Sequence, residues 1–262
     1  MKEPRTRWRI LLIPSRSGAE NMARDEGLMA RARESGESVF SVYAWEKPTL
    51  SLGRNQTARD LYDLQELNRR GVDVVRRPTG GRALLHHREV TYSVAAPIAD
   101  GESLAETYRH INMILLDGLA KLGVDARESV RAEPTPRPDT LPCFAAPADG
   151  ELVTRGAKLV GSAQVRENGA FLQHGSILIE DDQRLIAELL ISGSHDLRVP
   201  QAATLSESLG RAPAIEEVAT ALFDSVKRLK DPNALSLAET DIARFTAAHV
   251  EKYRSELWTW RR

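Results

Sequence analysis

The stretch AKLVGSAQVRE-NG-AFLQHGSILI, residues 157–179, restricts the fold more than any other part of the chain. Alternating runs flank Asn168-Gly169, and Asn-Gly takes the left-handed conformations of the tight turns that match strand twist. An antiparallel hairpin follows. A second turn signal, Arg155-Gly156, joins the first arm to ELVT, so residues 151–180 read as a meander and not as a strand–helix–strand unit. With strands and helices interleaved elsewhere, the expected class is α/β (α+β). The sheet should be mixed, largely antiparallel and flanked by helices.

The remaining elements are placed by caps and periodicity. WRILLI reads as a buried first strand. Ser17 and Glu20 have capping-box spacing and start a helix near Gly18, and Ser103 and Glu106 start another. In the second of these, Leu104, Tyr108, Ile111, Leu115, Leu119 and Leu122 form one apolar stripe, and Gly123 ends it. Residues 38–45 alternate as a strand, and KPTLSLGRNQ reads as a strand entering a loop. Thr57 to Asn68 is expected to be a short helix capped at Gly71, followed by the strand VDVVRR. ALLHHREVTYSVAA supplies one strand or two. Residues 131–142 carry four prolines and exclude helix and central strand. Further helices are expected around 182–192, 214–229 and 237–253, giving a single domain over 1–262 with a helical section from about 182.

Charge and composition remove several functions. Lys and Arg number 36 against 37 for Asp and Glu, which speaks against a general nucleic-acid binder and against disorder. No apolar run approaches the length of a membrane span, and the basic start of the chain lacks the apolar length of a secretion signal. Cys143 is the single cysteine and cannot form an internal disulfide, so the cytoplasm is the expected location.

Four places carry possible chemistry. RRPTGGRALLHH, residues 76–87, reads on its own either as a glycine turn between solvated arginines or as an anion-binding loop. It lacks the phosphate-loop and dinucleotide glycine patterns. His86 and His87 are neighbours on a strand and point to opposite faces, so they make a poor metal pair, and no metal is expected. Cys143 follows the proline-rich segment and is either a buried small residue or a reactive thiol. Lys158 sits between apolar residues on a strand, facing solvent or polarising a carbonyl. His174 precedes Gly175-Ser176 and is either a core histidine or a general base.

Taken together and in order, NMARDEGLM, PTLSLGRNQ, VVRRPTGGRALLHHREVTYSV, CFAAP, AKLVGSAQ, FLQHGSILI and ATLSESLGR resemble the lipoate/octanoate attachment superfamily, with its biotin/lipoate ligase-like catalytic domain. The resemblance runs from about Trp8 to Trp258. Within the superfamily the chain looks most like the cysteine-dependent octanoyltransferases. Gly80-Gly81-Arg82 stands where ATP-dependent ligases usually carry a third glycine, and Cys143-Phe144 precedes the lysine strand. The chain also ends at Arg262, where many ligases continue into a further domain. Departures occur at Leu85, at His87 and at Ala148-Asp149-Gly150 before Glu151.

The resemblance implies transfer of an octanoyl group from octanoyl-acyl carrier protein to a lysine of a lipoyl-accepting carrier, such as a glycine cleavage H protein or a dehydrogenase E2 lipoyl domain. Cys143 would form a thioester, and a positive Lys158 would stabilise its thiolate and help hold the carbonyl oxygen. No cofactor, nucleic acid or membrane is implied. The substrate-binding residues implied are Arg77, Gly80, Gly81, Arg82, His86, Tyr92, Gly161, Ser162, Ala163, Gln164, His174 and Gly175, with Leu84 and Leu159 beside the acyl chain. Arg76, Arg77, Arg82 and Arg88 form a basic cluster that reads either as a rim for an acidic carrier protein or as a solvated loop. The alternatives are an ATP-dependent lipoate–protein ligase, an amidotransferase between lipoyl domains, and a non-catalytic carrier-binding protein.

Overall fold

The computed structural model describes residues 7–98, 101–130, 143–145, 150–191 and 200–262. The expected proline-rich loop at 131–142 lies outside them. In chain order the elements are β1 (Trp8–Leu12), α1 (Gly18–Ser35), β2 (Ser38–Tyr43), β3 (Thr49–Leu52), α2 (Leu64–Arg69), β4 (Asp73–Arg76), β5 (Leu84–His86), β6 (Glu89–Pro97) and α3 (Leu104–Lys121). They continue with β7 (Arg127–Glu128), β8 (Leu152–Thr154), β9 (Ala157–Glu167), β10 (Ala170–Leu178), α4 (Leu185–Glu188), α5 (Leu205–Leu209), α6 (Ile215–Leu229), β11 (Leu235–Ser236), α7 (Glu239–Ala247), α8 (Val250–Arg254) and α9 (Glu256–Thr259). Among the described residues the strands form an eight-stranded sheet, β11-β1-β2-β6-β10-β9-β8-β7, and a three-stranded sheet, β4-β3-β5. Only β11-β1 and β1-β2 are parallel pairs in the larger sheet.

The meander forms as its turn residues require. Arg155, Gly156, Asn168 and Gly169 all have positive φ, at 50°, 83°, 51° and 81°. Both long helices start on reciprocal capping boxes, Ser17 with Glu20 and Ser103 with Glu106.

The larger sheet is covered on both faces, so β2 is buried along its whole length and not on alternate residues only. Phe40 and Val42 join Ile111, Leu115 and Leu119 of α3 and Val218, Leu222 and Val226 of α6. Val39 and Tyr43 point the other way, onto Met22, Leu28 and Met29 of α1. The face toward α1 carries the site.

The small sheet was not separable from the larger one by sequence. RRPTGGRALLHHREVTYSV crosses between the two: β5 pairs with β3, and β6 pairs with β2 and β10. Residues of β5 and the segment leading into it alternate, with Ala83 and Leu85 in a separate apolar cluster against α2 and α4. Arg82, Leu84 and His86 face the other way, onto a cavity. The expected helix from Thr57 is shorter, because Asp63 caps it at Leu64. Before it, the amides of Ala58 and Arg59 donate to the carbonyl of Arg262, which holds them in turns.

The four arginines do not form a basic rim. Arg76, Arg77 and Arg82 are buried, and only Arg88 is exposed, paired with Glu180. Arg76 is fully enclosed. It donates to the carbonyls of Gly53 (2.6 Å), Gln56 (2.7 Å), Thr259 (2.8 Å) and Arg262 (3.3 Å), tying the last turn of the chain to the small sheet. Arg76→Met would orphan several buried carbonyls at once and is expected to destabilise the protein by about 3 kcal/mol. Urea denaturation checks this, and an unchanged midpoint contradicts it.

Candidate active site

A cavity of about 510 Å³ opens between the α1-facing side of the larger sheet and β5. It is within the size range of sites for small organic ligands. Met22, Tyr43, Trp45 and Leu84 give it apolar surface. Cys143, Lys158, Glu151, Arg77, Arg82, His86 and His174 bring polar groups to the same space.

Cys143 opens a short 3₁₀ turn, Cys143–Ala145, and its amide donates to the carbonyl of Ala83 at 2.9 Å. This bond seats the thiol beside the glycine segment. Lys158, on β9, is buried. Its Nζ lies 3.5 Å from Cys143 Sγ, 2.8 Å from the Cys143 carbonyl oxygen and 2.7 Å from Glu151 Oε1, with the Phe144 ring centroid 4.9 Å away. The ammonium hydrogens therefore all have acceptors. The buried cation is compensated by Glu151, and the sulfur is the one acceptor among the three that can gain charge during a reaction. A cation so placed faces the atom on which charge changes as the sulfur reacts.

Two histidines line the cavity with fixed partners. His174 Nδ1 meets Asp25 Oδ2 at 2.7 Å, and Nε2 meets Thr79 Oγ1 at 2.6 Å. The Tyr43 hydroxyl donates to the same Asp25 oxygen at 2.8 Å, and burial pushes the Tyr43 phenol well above its usual range, so it stays a donor. A neutral His174 fits as the Nδ1–H tautomer with the Thr79 hydroxyl donating to Nε2. His86 is stacked on Trp45 at 3.9 Å between ring centroids. Its Nε2 meets Ser51 Oγ at 2.9 Å and its Nδ1 meets Glu89 Oε1 at 3.2 Å. Burial lowers the His86 pKa from its usual 6.5, against the pull of Glu89. His87 faces outward to Asp182.

The glycine segment is held by Arg77, which also lines the cavity. Its Nε and Nη2 donate to the Gly80 carbonyl, Nη2 also to the Arg82 carbonyl at 2.7 Å, and Nη1 to the carbonyl and hydroxyl of Ser51. Gly81 has φ 93° and packs its carbonyl so close to Gly53 that a Cβ there would lie 1.9 Å from the oxygen. Gly175 is equally confined, with a Cβ meeting the Gly161 carbonyl at 2.5 Å and the Tyr92 ring at 2.7 Å. These glycines permit close packing of backbone against backbone.

The cavity thus gathers Cys143, Lys158, Arg77, Gly81, Arg82, His86, Gly161, Ser162, Ala163, His174 and Gly175. Gly80, Tyr92 and Gln164 are not in its lining. Gly80 offers its carbonyl to Arg77. Tyr92 lies behind the wall, bonded to Ser162 Oγ at 2.6 Å and to Gln173 at 2.8 Å, and Gln164 stands beside Gln173. Leu84 lines the cavity, whereas Leu159 is packed in the α3–α6 core. Sequence reasoning did not single out Glu151, Asp25, Thr79 or Trp45 as site residues. Asp25 carried a signal, since Asn21 and Asp25 are polar at helical spacing on the buried face of α1. No group of three or more residues placed to hold a metal ion occurs among the described residues. None of the described helices is long and apolar enough to cross a membrane.

Comparison with known proteins adds an independent result. Residues 17–227 match the family model described as lipoyl protein ligase A/B catalytic domain. The octanoyltransferase LipM of Kyrpidia tusciae is 37% identical, over 97% of this chain and 99% of its own. The LipM of Carboxydothermus hydrogenoformans is 36% identical, over 97% and 98%. Among solved structures, the bi-partite lipoate protein ligase of Thermoplasma acidophilum superposes with a TM-score of 0.77 at 20% identity, over 97% of this chain and 96% of that one. At that identity the likeness concerns the fold.

Proposed function

The chain belongs to the lipoyl protein ligase A/B catalytic-domain family and is an octanoyltransferase of protein lipoylation; from that premise we propose that the octanoyl group passes through a thioester on Cys143. The observation that carries this reading is the buried Lys158 ammonium, 3.5 Å from the cavity's only sulfur nucleophile among the described residues and held there by Glu151.

In the first half-reaction the Cys143 thiolate attacks the carbonyl carbon of an octanoyl thioester carried by acyl carrier protein. The new S–C bond forms, the old one breaks, and the carrier thiol leaves. In the second, the ε-amine of a lysine on a lipoyl-accepting carrier domain attacks the Cys143 thioester, an amide forms, and the enzyme sulfur is released. Thioester to amide runs downhill, so ATP has no part. Apolar lining from Met22, Trp45 and Leu84 suits the hydrocarbon chain. His86 and His174 have both ring nitrogens engaged by protein groups, which supports a shaping role for them. Residues 1–262 act as one catalytic unit in this proposal, and a free-thiol nucleophile suits the reducing cytoplasm.

Mixing the protein with octanoyl-acyl carrier protein and an apo lipoyl domain, with no nucleotide, is expected to give octanoylated lipoyl domain by mass. Modification that requires free octanoate and ATP overturns the proposal in favour of a ligase.

A further inference from the structure

The cavity contains a cation whose side-chain donors meet no acceptor among the described residues. Arg77 and Arg82 both line it and both are buried. Arg77 spends its guanidinium on the carbonyls of Ser51, Gly80 and Arg82 and on the Ser51 hydroxyl. Lys158 spends its ammonium on Cys143 and Glu151. Arg82 is 7% exposed, donates no side-chain hydrogen bond to a described residue, and has its Nη1 buried without a partner. A buried, unpaired guanidinium costs free energy unless a ligand supplies the missing acceptor.

Its position is set from both sides. The Arg82 carbonyl is held by Arg77, and the next carbonyl along the chain, that of Ala83, receives the Cys143 amide. Strand alternation then sends Arg82 to the cavity together with Leu84 and His86. The uncommitted cation therefore lines the same cavity as the nucleophile.

We propose that Arg82 grips the acyl oxygen of the octanoyl group. The proposal rests on the Cys143 reading above. In the bound thioester this oxygen is a neutral carbonyl acceptor. When Cys143 Sγ bonds to the carbonyl carbon, the carbonyl π pair moves onto the oxygen, which becomes an anion facing the guanidinium. Collapse restores the carbonyl and expels the donor sulfur, which leaves as a thiol on taking up the proton that Cys143 released on ionising. The interaction is stronger in the charged intermediate than in the ground state, which is the condition for accelerating the chemical step. Lys158, with its hydrogens committed, serves the sulfur, and Arg82 serves the oxygen.

Two measurements test this. In single-turnover acylation by octanoyl-acyl carrier protein, Arg82→Gln is expected to lower the maximal rate constant by roughly 100-fold. The half-saturating donor concentration should stay within about threefold, and so should alkylation of Cys143 by iodoacetamide. A variant that acylates within about threefold of wild type, or that loses only donor affinity, overturns the proposal. The second measurement needs no variant. Calorimetry on the wild type is expected to show octanoate bound at least about tenfold more tightly than neutral octanamide, since Arg82, unpaired among the described residues, awaits a charged head group. Equal affinities overturn the proposal. A wild type that forms no acyl adduct removes the Cys143 premise and the catalytic role of Arg82 with it, whereas adduct formation at an unchanged rate in Arg82→Gln defeats Arg82 alone.

Discussion

Cys143→Ala is expected to abolish octanoyl transfer, by roughly 10⁴-fold or more, while leaving the protein folded. The thiol is partly buried beside Leu84, Phe144, Leu178 and Ala202, and alanine removes only the sulfur from that contact. The packing loss is about 1 kcal/mol. The backbone bond from Cys143 to Ala83 and the Lys158 bond to the Cys143 carbonyl do not depend on the side chain. Turnover and the unfolding midpoint therefore separate cleanly, and a variant that still transfers at a measurable fraction of the wild-type rate contradicts the thioester route.

Lys158→Met is expected to reduce acylation by roughly 100-fold and to destabilise the fold as well. Lys158 and Glu151 form a 2.7 Å pair with side chains 1% and 9% exposed. Removing the lysine takes a buried cationic partner from the Glu151 carboxylate, which costs about 3 kcal/mol. The double variant Lys158→Met/Glu151→Gln removes both charges, so stability should recover while acylation does not. Chemical denaturation and single-turnover rates on the three proteins check this. Recovery of activity along with stability would reduce Lys158 to a packing role.

The parts of this molecule that were legible in the sequence are those governed by local rules. The Asn168-Gly169 hairpin, the Ser17 and Ser103 capping boxes and the alternation of His86 and His87 each follow from neighbours a few residues apart. The family resemblance extended that reach, because Cys143 and Lys158 stand out only in the company of the other motifs. Long-range pairing was not legible. Asp25 and His174 lie 149 residues apart, and nothing in α1 alone tells that its acid meets a strand histidine. The division of strands between two sheets depends on partners far along the chain, so β5 and β6 read as one run or two with equal ease.

The arginines show the difference most plainly. As letters, Arg76, Arg77 and Arg82 form a basic patch, and a surface role is the natural reading. In the fold they are buried, with separate tasks. Arg76 fastens the end of the chain, Arg77 braces the glycine segment, and Arg82 is left with donors to spare. Burial, which decides among these roles, is a property of the tertiary structure and leaves no mark on charge composition.

The central claim, a thioester on Cys143, is tested most directly by intact mass spectrometry of the protein after mixing with octanoyl-acyl carrier protein, without nucleotide and without acceptor. The wild type should gain one octanoyl unit that hydroxylamine removes, and Cys143→Ala should gain none. An unmodified wild type, or an adduct that persists in Cys143→Ala, would contradict it.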